Sequence, residues 1–157
     1  MKIRTARSED LGSILSLLHQ LSPKKGIPRQ TALKASFQKI LSNPDYIMIV
    51  CEDSGQIVGT STLLIQQNLS HGARPYGHIE NVVTDQSRRR SGIGNLMVEF
   101  LVKKSRDANC YKVILDCQPD DELKKSILDF KSVQGNSAFY QKCGFRKTGE
   151  IQMRLDL

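Results

Sequence analysis

Residues 76–107, YGHIENVVTDQSRRRSGIGNLMVEFLVKKSRD, constrain this chain more than any other stretch. The segment YGHIENVVT is rich in β-branched residues and reads as a strand. Ile93, Leu96, Met97, Phe100 and Leu101 then recur at helical spacing. Between strand and helix stand three arginines and two glycines, RRRSGIGN. A strand that passes into a long helix through glycines predicts an α/β architecture. The amides of the glycine stretch then form a helix N-terminus, which binds anions through unpaired N–H groups and the helix dipole.

The flanking pattern agrees. KIRTA reads as a first strand, and Ser8 is placed to cap the helix that carries Leu11, Ile14, Leu15 and Leu18, with Glu9 and Asp10 in its first turn. LSPKKGIPRQ is a loop. Leu33, Phe37, Ile40 and Leu41 mark a second helical face, ended by Asn43-Pro44. YIMIVCE and IVGTSTLLIQQ are strands joined by the turn DSGQ, and NLSHGARP is a loop. After the long helix, YKVILDC is a strand, residues 118–135 are polar with a helical turn near ELKKSILDF, NSAFYQKCG is a short helix closed by Gly144, and FRKTGEIQMRLDL completes the sheet. The order is strand, two helices, three strands, helix, strand, helix, strand: a mixed sheet flanked by helices. With 157 residues and neither an internal repeat nor a linker, a single domain over 1–157 is expected.

Charge narrows the ligand. The net charge is +7, unevenly spread. Residues 44–85 carry 1 basic and 5 acidic side chains, and residues 86–112 carry 7 basic and 2 acidic. A uniform basic face for nucleic acid would not alternate in this way. The aromatic interleaving of single-strand binders is also missing. A small polyanion held beside an acidic substrate site fits better.

Cys51, Cys110, Cys117 and Cys143 form no C-x-x-C, and His19, His71 and His78 have no metal-ligand spacing, so no metal site is expected and the thiols read as buried and reduced. No apolar run reaches the ~20 residues of a membrane span. The opening MKIRTARSED lacks the apolar stretch of a signal peptide. A cytoplasmic protein is expected.

G-x-G after a strand begins a dinucleotide fingerprint, but the third glycine is missing, since Asn95, Leu96 and Met97 follow Gly94. A Walker loop would need Gly-Lys-Ser/Thr. The motif instead resembles that of the GNAT superfamily of acetyl-CoA-dependent N-acetyltransferases, Arg/Gln-x-x-Gly-x-Gly/Ala, here Arg89-Arg90-Ser91-Gly92-Ile93-Gly94. YGHIENVVTD before it, CYKVILDC after it and NSAFYQKCGF downstream extend the likeness over roughly residues 45–157. Within the superfamily, GHIENVV, CYKVILDC and FYQKCGF are similar to stretches of the glucosamine-6-phosphate N-acetyltransferase group. The chain departs from that group in Asn68-Leu69-Ser70-His71, where the group is basic and aromatic, and in the insertion after LDC.

The resemblance implies a mixed sheet with splayed fourth and fifth strands, acetyl-CoA as donor and a homodimer. It also implies site residues. Backbone from Arg89, Arg90, Ser91, Gly92, Ile93, Gly94 and Asn95 would cradle the pyrophosphate, with arginine side chains adding charge-assisted contacts. Val82, Val83 and Thr84 would lend strand edge to the pantetheine arm past a bulge, and an N–H near Val82 would polarise the acetyl carbonyl. Glu80 is the candidate base, with His78 as the other choice. Tyr140 would protonate the departing thiolate, and Asn136 would touch the cofactor arm. His71, Arg74, His78, Glu80 and Asn81 would form the acceptor pocket, with Arg74 the nearest cation in sequence for a phosphate.

Each assignment has a plainer counterpart: a solvated basic loop for the arginines, a core strand for the valines, a surface carboxylate for Glu80, a core aromatic for Tyr140. The leading expectation is direct acetyl transfer to a primary amine of a small molecule such as glucosamine 6-phosphate or another amino sugar. The alternatives are a protein or peptide amine acetyltransferase and a non-catalytic coenzyme A-binding module.

Overall fold

A computed structural model describes residues 1–21, 30–117 and 137–148. Contacts group the chain into two compact units, Met1–Asp116 and Cys117–Leu157.

The first unit is built on a five-stranded sheet in the order β1 (Lys2–Thr5), β2 (Tyr46–Asp53), β3 (Gln56–Gln66), β4 (Tyr76–Thr84) and β5 (Val113–Leu115). The first three pairings are antiparallel and β4 with β5 is parallel. Helices α1 (Leu11–Leu21) and α2 (Gln30–Ser42) precede β2, and α4 (Ile93–Asp107) joins β4 to β5. On one face Ile14 of α1 and Phe37 of α2 pack with Met48 and Val50 of β2. Side chains alternate along a strand, so Ile49 and Cys51, both 0% exposed, face the other way.

There α4 lies close to the sheet, because two strand positions lack side chains. A Cβ on Gly59 would meet Met97 Cε and Sδ at 3.0 Å, and one on Gly77 would meet Ser105 Oγ at 2.8 Å. The glycines and the buried stripe Ile93, Met97, Val98 and Leu101 fix how α4 lies, and so where its N-terminus sits.

Three local expectations need correction. Ser8 does not cap α1: it lies in a 3-10 turn, Ser8–Asp10, and the Asp10 carboxylate accepts the Arg7 N–H at 2.7 Å. That carboxylate, whose side chain is 4% exposed, also takes the Arg4 guanidinium, and the ion pair outweighs desolvation and holds it below the usual carboxylate range. The loop NLSHGARP contains a single turn, α3 (Ser70–Ala73), in which His71, Gly72 and Ala73 all have positive φ. Of the cysteines only Cys51 is buried, and Cys117 is exposed.

In the second unit, α5 (Ser137–Lys142) ends at Gly144, φ 89°, whose N–H donates to the Gln141 carbonyl. The expected loop LSPKKGIPRQ falls mainly outside the described residues, as do 118–135 and most of FRKTGEIQMRLDL. Phe145–Thr148 carry no strand. No described helix is long and apolar enough to cross a membrane.

Candidate active site

The sheet is interrupted where β4 passes Glu80. Thr62 pairs with Glu80 and Thr60 with Val83, so Asn81 and Val82 stand opposite Ser61 alone. This is a β-bulge, one extra residue in one strand, and Asn81 within it takes a left-handed φ of 54°. The partner strand carries three consecutive hydroxyls at this point. Ser61 Oγ and Thr62 Oγ1 each donate to the Glu80 carbonyl at 3.1 Å, and Thr60 Oγ1 donates to the Ile49 carbonyl at 2.9 Å. These side chains are at most 3% exposed, and burial without such bonds would be costly. The hydroxyl run and the bulge therefore belong together.

On the other side of β4, pairing with β5 covers only Gly77–Ile79, ending at Ile79 opposite Leu115. Glu80–Thr84 run on without a strand partner on that edge among the described residues. The fourth and fifth strands part here, leaving backbone donors and acceptors for an extended ligand to pair with. Val83 points into the core at 4% exposure, while Val82 and Thr84 are half-buried.

Three titratable side chains gather at the parting. His78 and Glu80 are two residues apart and share a face. His78 Nε2 lies 3.7 Å from Glu80 Oε1 and 3.8 Å from Asp116 Oδ2, with Asp116 directly after β5. Nε2 is itself buried and has no hydrogen-bond partner among the described residues. Two carboxylates around one imidazole favour an approaching cation, and an alkyl amine at neutral pH is one; either carboxylate can then accept its proton. Asp116 is the residue that sequence reasoning missed. Its signal is an acid at the carboxyl end of a parallel strand, where ligands of open α/β sheets collect.

At the far end of β4 the chain turns into α4. Asp85 Oδ1 accepts from Ser87 N at 2.9 Å and from Ser87 Oγ, and the Ser87 bonds and one from Gln20 hold its carboxyl below the ordinary range. Arg88 pairs with Asp53, while Arg89 and Arg90 are exposed. Arg90 has φ 62° and Gly92 has φ 84°, the left-handed region that glycine enters without strain. Gly92 caps α4, and its carbonyl accepts the Leu96 N–H at 3.1 Å. The Ile93 and Gly94 amides precede that bond, so the helix leaves them without an intrahelical acceptor. A Cβ on Gly92 would meet none of the described residues within 4 Å. Amides that the helix leaves without an acceptor and two exposed guanidiniums suit a phosphate-bearing ligand. The Asn95 side chain donates to Glu99 at 2.6 Å, along the helix.

His71 and Arg74 make contacts outside this cluster. The His71 ring stacks on Tyr111 at 4.0 Å and bonds Ser70 Oγ at 2.8 Å. Arg74 donates to the Asn109 and Cys110 carbonyls, both at 3.1 Å, just past α4. Both precede Tyr76, which stands four strand steps, roughly 13 Å, from Glu80. In the second unit Tyr140 is 9% exposed, edge-on to Phe139 at 4.9 Å and Phe145 at 6.1 Å. Burial pushes its phenol up to about 12. Asn136 lies outside the described residues.

The profile of the Acetyltransferase (GNAT) family matches residues 14–145. Glucosamine 6-phosphate N-acetyltransferase of Trypanosoma brucei brucei is 35% identical over 100% of this chain and 96% of its own length. Glucosamine 6-phosphate N-acetyltransferase 1 of Oryza sativa subsp. japonica is 32% identical over 98% of this chain and 86% of its own. Among solved structures, glucosamine-6-phosphate N-acetyltransferase from Arabidopsis thaliana superposes with a TM-score of 0.80 at 32% identity, covering 99% of this chain and 97% of that one. A mixed open sheet parted at a bulge, a glycine turn at a helix N-terminus and these relatives lead to one conclusion: the chain belongs to the GNAT family of acetyltransferases and is an acyltransferase that moves acetyl onto an amine.

Proposed function

We propose that this enzyme acetylates the amine of glucosamine 6-phosphate, with acetyl-CoA as the donor. The observation that carries the acceptor is that relatives of that description align with this chain over nearly its whole length. The family profile also crosses the boundary of the two compact units, which supports a single acetyltransferase domain spanning them.

In this reading the turn Arg89–Asn95 holds the pyrophosphate through its amides and the two exposed arginines. Val82, Val83 and Thr84 pair by their backbone with the pantetheine arm, and an N–H near Val82 stabilises the oxyanion. Acetyl-CoA supplies an activated acyl group, and the chain supplies position and proton management. The carboxylates of Glu80 and Asp116 draw in the ammonium; Glu80 takes its proton, directly or through water, with His78 as the alternative base. Asn81 lines the same pocket. Tyr140 returns a proton to the thiolate and Asn136 contacts the cofactor arm. Its raised pKa keeps the phenol protonated throughout the neutral range. His71 and Arg74 remain candidates for the sugar phosphate, with the condition that Arg74 would have to release two carbonyls to reach it. The resemblance to the glucosamine-6-phosphate group also supports a homodimer, and use of acetyl-CoA a cytoplasmic location.

Thiol release from acetyl-CoA, measured against glucosamine 6-phosphate, glucosamine, amino acids, polyamines and peptides, tests the reading. Glucosamine 6-phosphate should give the highest kcat/KM. Equal turnover of glucosamine would remove the phosphate from the assignment, and preference for a peptide would replace the acceptor altogether.

A further inference from the structure

Gln20, the penultimate residue of α1, uses both ends of its amide on the turn that leads into α4. Its Nε2 donates to Asp85 Oδ2 at 3.0 Å, and its Oε1 accepts the Gln86 backbone N–H at 3.0 Å. The contact spans 65 residues of sequence and is half-buried on the Asp85 side. Asp85 is the hub of this turn. Its own N–H donates to the Val58 carbonyl at 2.9 Å, its carbonyl accepts the Arg88 N–H at 2.9 Å, and its other carboxylate oxygen takes Ser87. Each of these bonds ties the turn to the sheet or to itself. Gln20 alone in this set ties it to a helix on the opposite face of the sheet from α4.

We infer that Gln20 is a positioning residue for the coenzyme A phosphates: it clamps Asp85 and Gln86 and so sets the path of Arg88–Gly94 above the α4 N-terminus. The inference rests on the reading of that turn as the pyrophosphate cradle. The clamp touches no phosphate itself. A glutamine amide can donate to a carboxylate and accept from a backbone N–H at once, whereas methionine of similar length has no donor and only a weak acceptor. Losing two hydrogen bonds that orient a binding loop should weaken the ligand about tenfold.

Calorimetry and steady-state kinetics on the full chain test this. Gln20→Met should raise the Kd and KM for acetyl-CoA about tenfold while leaving the KM for the amine acceptor unchanged. S-acetylpantetheine, which has the thioester but lacks the pyrophosphate and ribose phosphate, should be used equally well by wild type and variant. A role confined to holding the fold would lower both donors alike. Rescue is the second readout. Gln20→Glu sets two carboxylates against each other and should bind acetyl-CoA poorly. Adding Asp85→Asn reverses the donor and acceptor of the same bond, keeps an oxygen for Ser87 and for Gln86 N–H, and should restore affinity to within about threefold. Unchanged acetyl-CoA affinity in Gln20→Met, equal losses for both donors, or no rescue in the double variant would each overturn the inference. A wild-type chain that fails to bind acetyl-CoA would instead overturn the cradle reading beneath it.

Discussion

Ser61 Oγ donates to the Glu80 carbonyl at 3.1 Å, across the point where β4 carries an extra residue. Thr62 Oγ1 donates to the same oxygen at the same distance. A carbonyl has two lone pairs, so either hydroxyl alone still satisfies it. Ser61→Ala and Thr62→Val should therefore each cost about 0.5–1.5 kcal/mol of stability. The double variant leaves the carbonyl without either donor and should cost more than the two singles combined, by roughly 0.5–3 kcal/mol. Denaturant melts measure this coupling, and strict additivity would show that the hydroxyls do not hold the bulge together. Turnover of the double variant should fall further than its stability, since the bulge sets the direction of Glu80.

Glu80 and Asp116 flank the same imidazole nitrogen, yet the proposed proton acceptor is Glu80. Glu80→Gln preserves shape and removes the base, so kcat should fall by ~10²–10⁴ with acetyl-CoA affinity unchanged. Asp116→Asn removes a charge that draws in the ammonium and should act chiefly on the KM of the amine acceptor. A reversed pattern, with kcat lost in Asp116→Asn and kept in Glu80→Gln, would move the base to Asp116.

Much of this arrangement was legible in the sequence because it is local. The stripe from Ile93 to Leu101, the glycines before it and the strand YGHIENVVT each declare themselves within one segment, and α4 begins at Ile93 as that pattern requires. The resemblance also led to the expectation of a bulge near Val82, but its chemical cause lay elsewhere, in Thr60, Ser61 and Thr62, which read simply as part of a strand. Register between two strands is not written in either alone. YKVILDC reads as a strand of seven residues, and Val113–Leu115 is three, because pairing with β4 ends at Ile79. Asp116 does not stand out in the sequence for that reason: it joins His78 and Glu80 only because β5 ends beside them. Arg74 is the nearest cation in sequence, and nearness carries no information about the carbonyls past α4 that it bonds.

Gly92 and Gly94 make different demands on the α4 N-terminus, and substitution separates them. Gly92 has φ 84°, so valine there costs ~1–2 kcal/mol of backbone strain and mixes a folding defect with any binding defect. Gly94 lies within the helix, where valine has a propensity at least as good as glycine. Gly94→Val should therefore melt within about 1 kcal/mol of wild type while a branched side chain crowds the amides. Its acetyl-CoA Kd should rise at least about tenfold, as for loss of a charge-assisted hydrogen bond. A well-folded Gly94→Val that binds as tightly as wild type would remove the cradle from this turn.

Tyr140 tests the last step. Its ring is buried against Phe139 and Phe145, so a purely structural role predicts that Tyr140→Phe changes stability by no more than about 0.5–1.5 kcal/mol and leaves turnover intact. If the hydroxyl protonates the thiolate, acetyl-CoA affinity should persist while kcat falls ~10²–10⁴-fold. The pH dependence gives a second handle. Burial raises the phenol to about 12 from an ordinary value of 10.0, so the folded state holds this proton more tightly than the unfolded chain. The stabilisation this brings is complete below about pH 10 and is lost as pH rises toward about 12. The wild-type melting temperature should thus decline more steeply between those values than that of Tyr140→Phe, which has no such proton. An alkaline limb in the rate, if the phenol sets it, should centre near 12 rather than 10. Near wild-type turnover in a well-folded Tyr140→Phe enzyme would make Tyr140 a packing residue and require another proton donor for the thiolate.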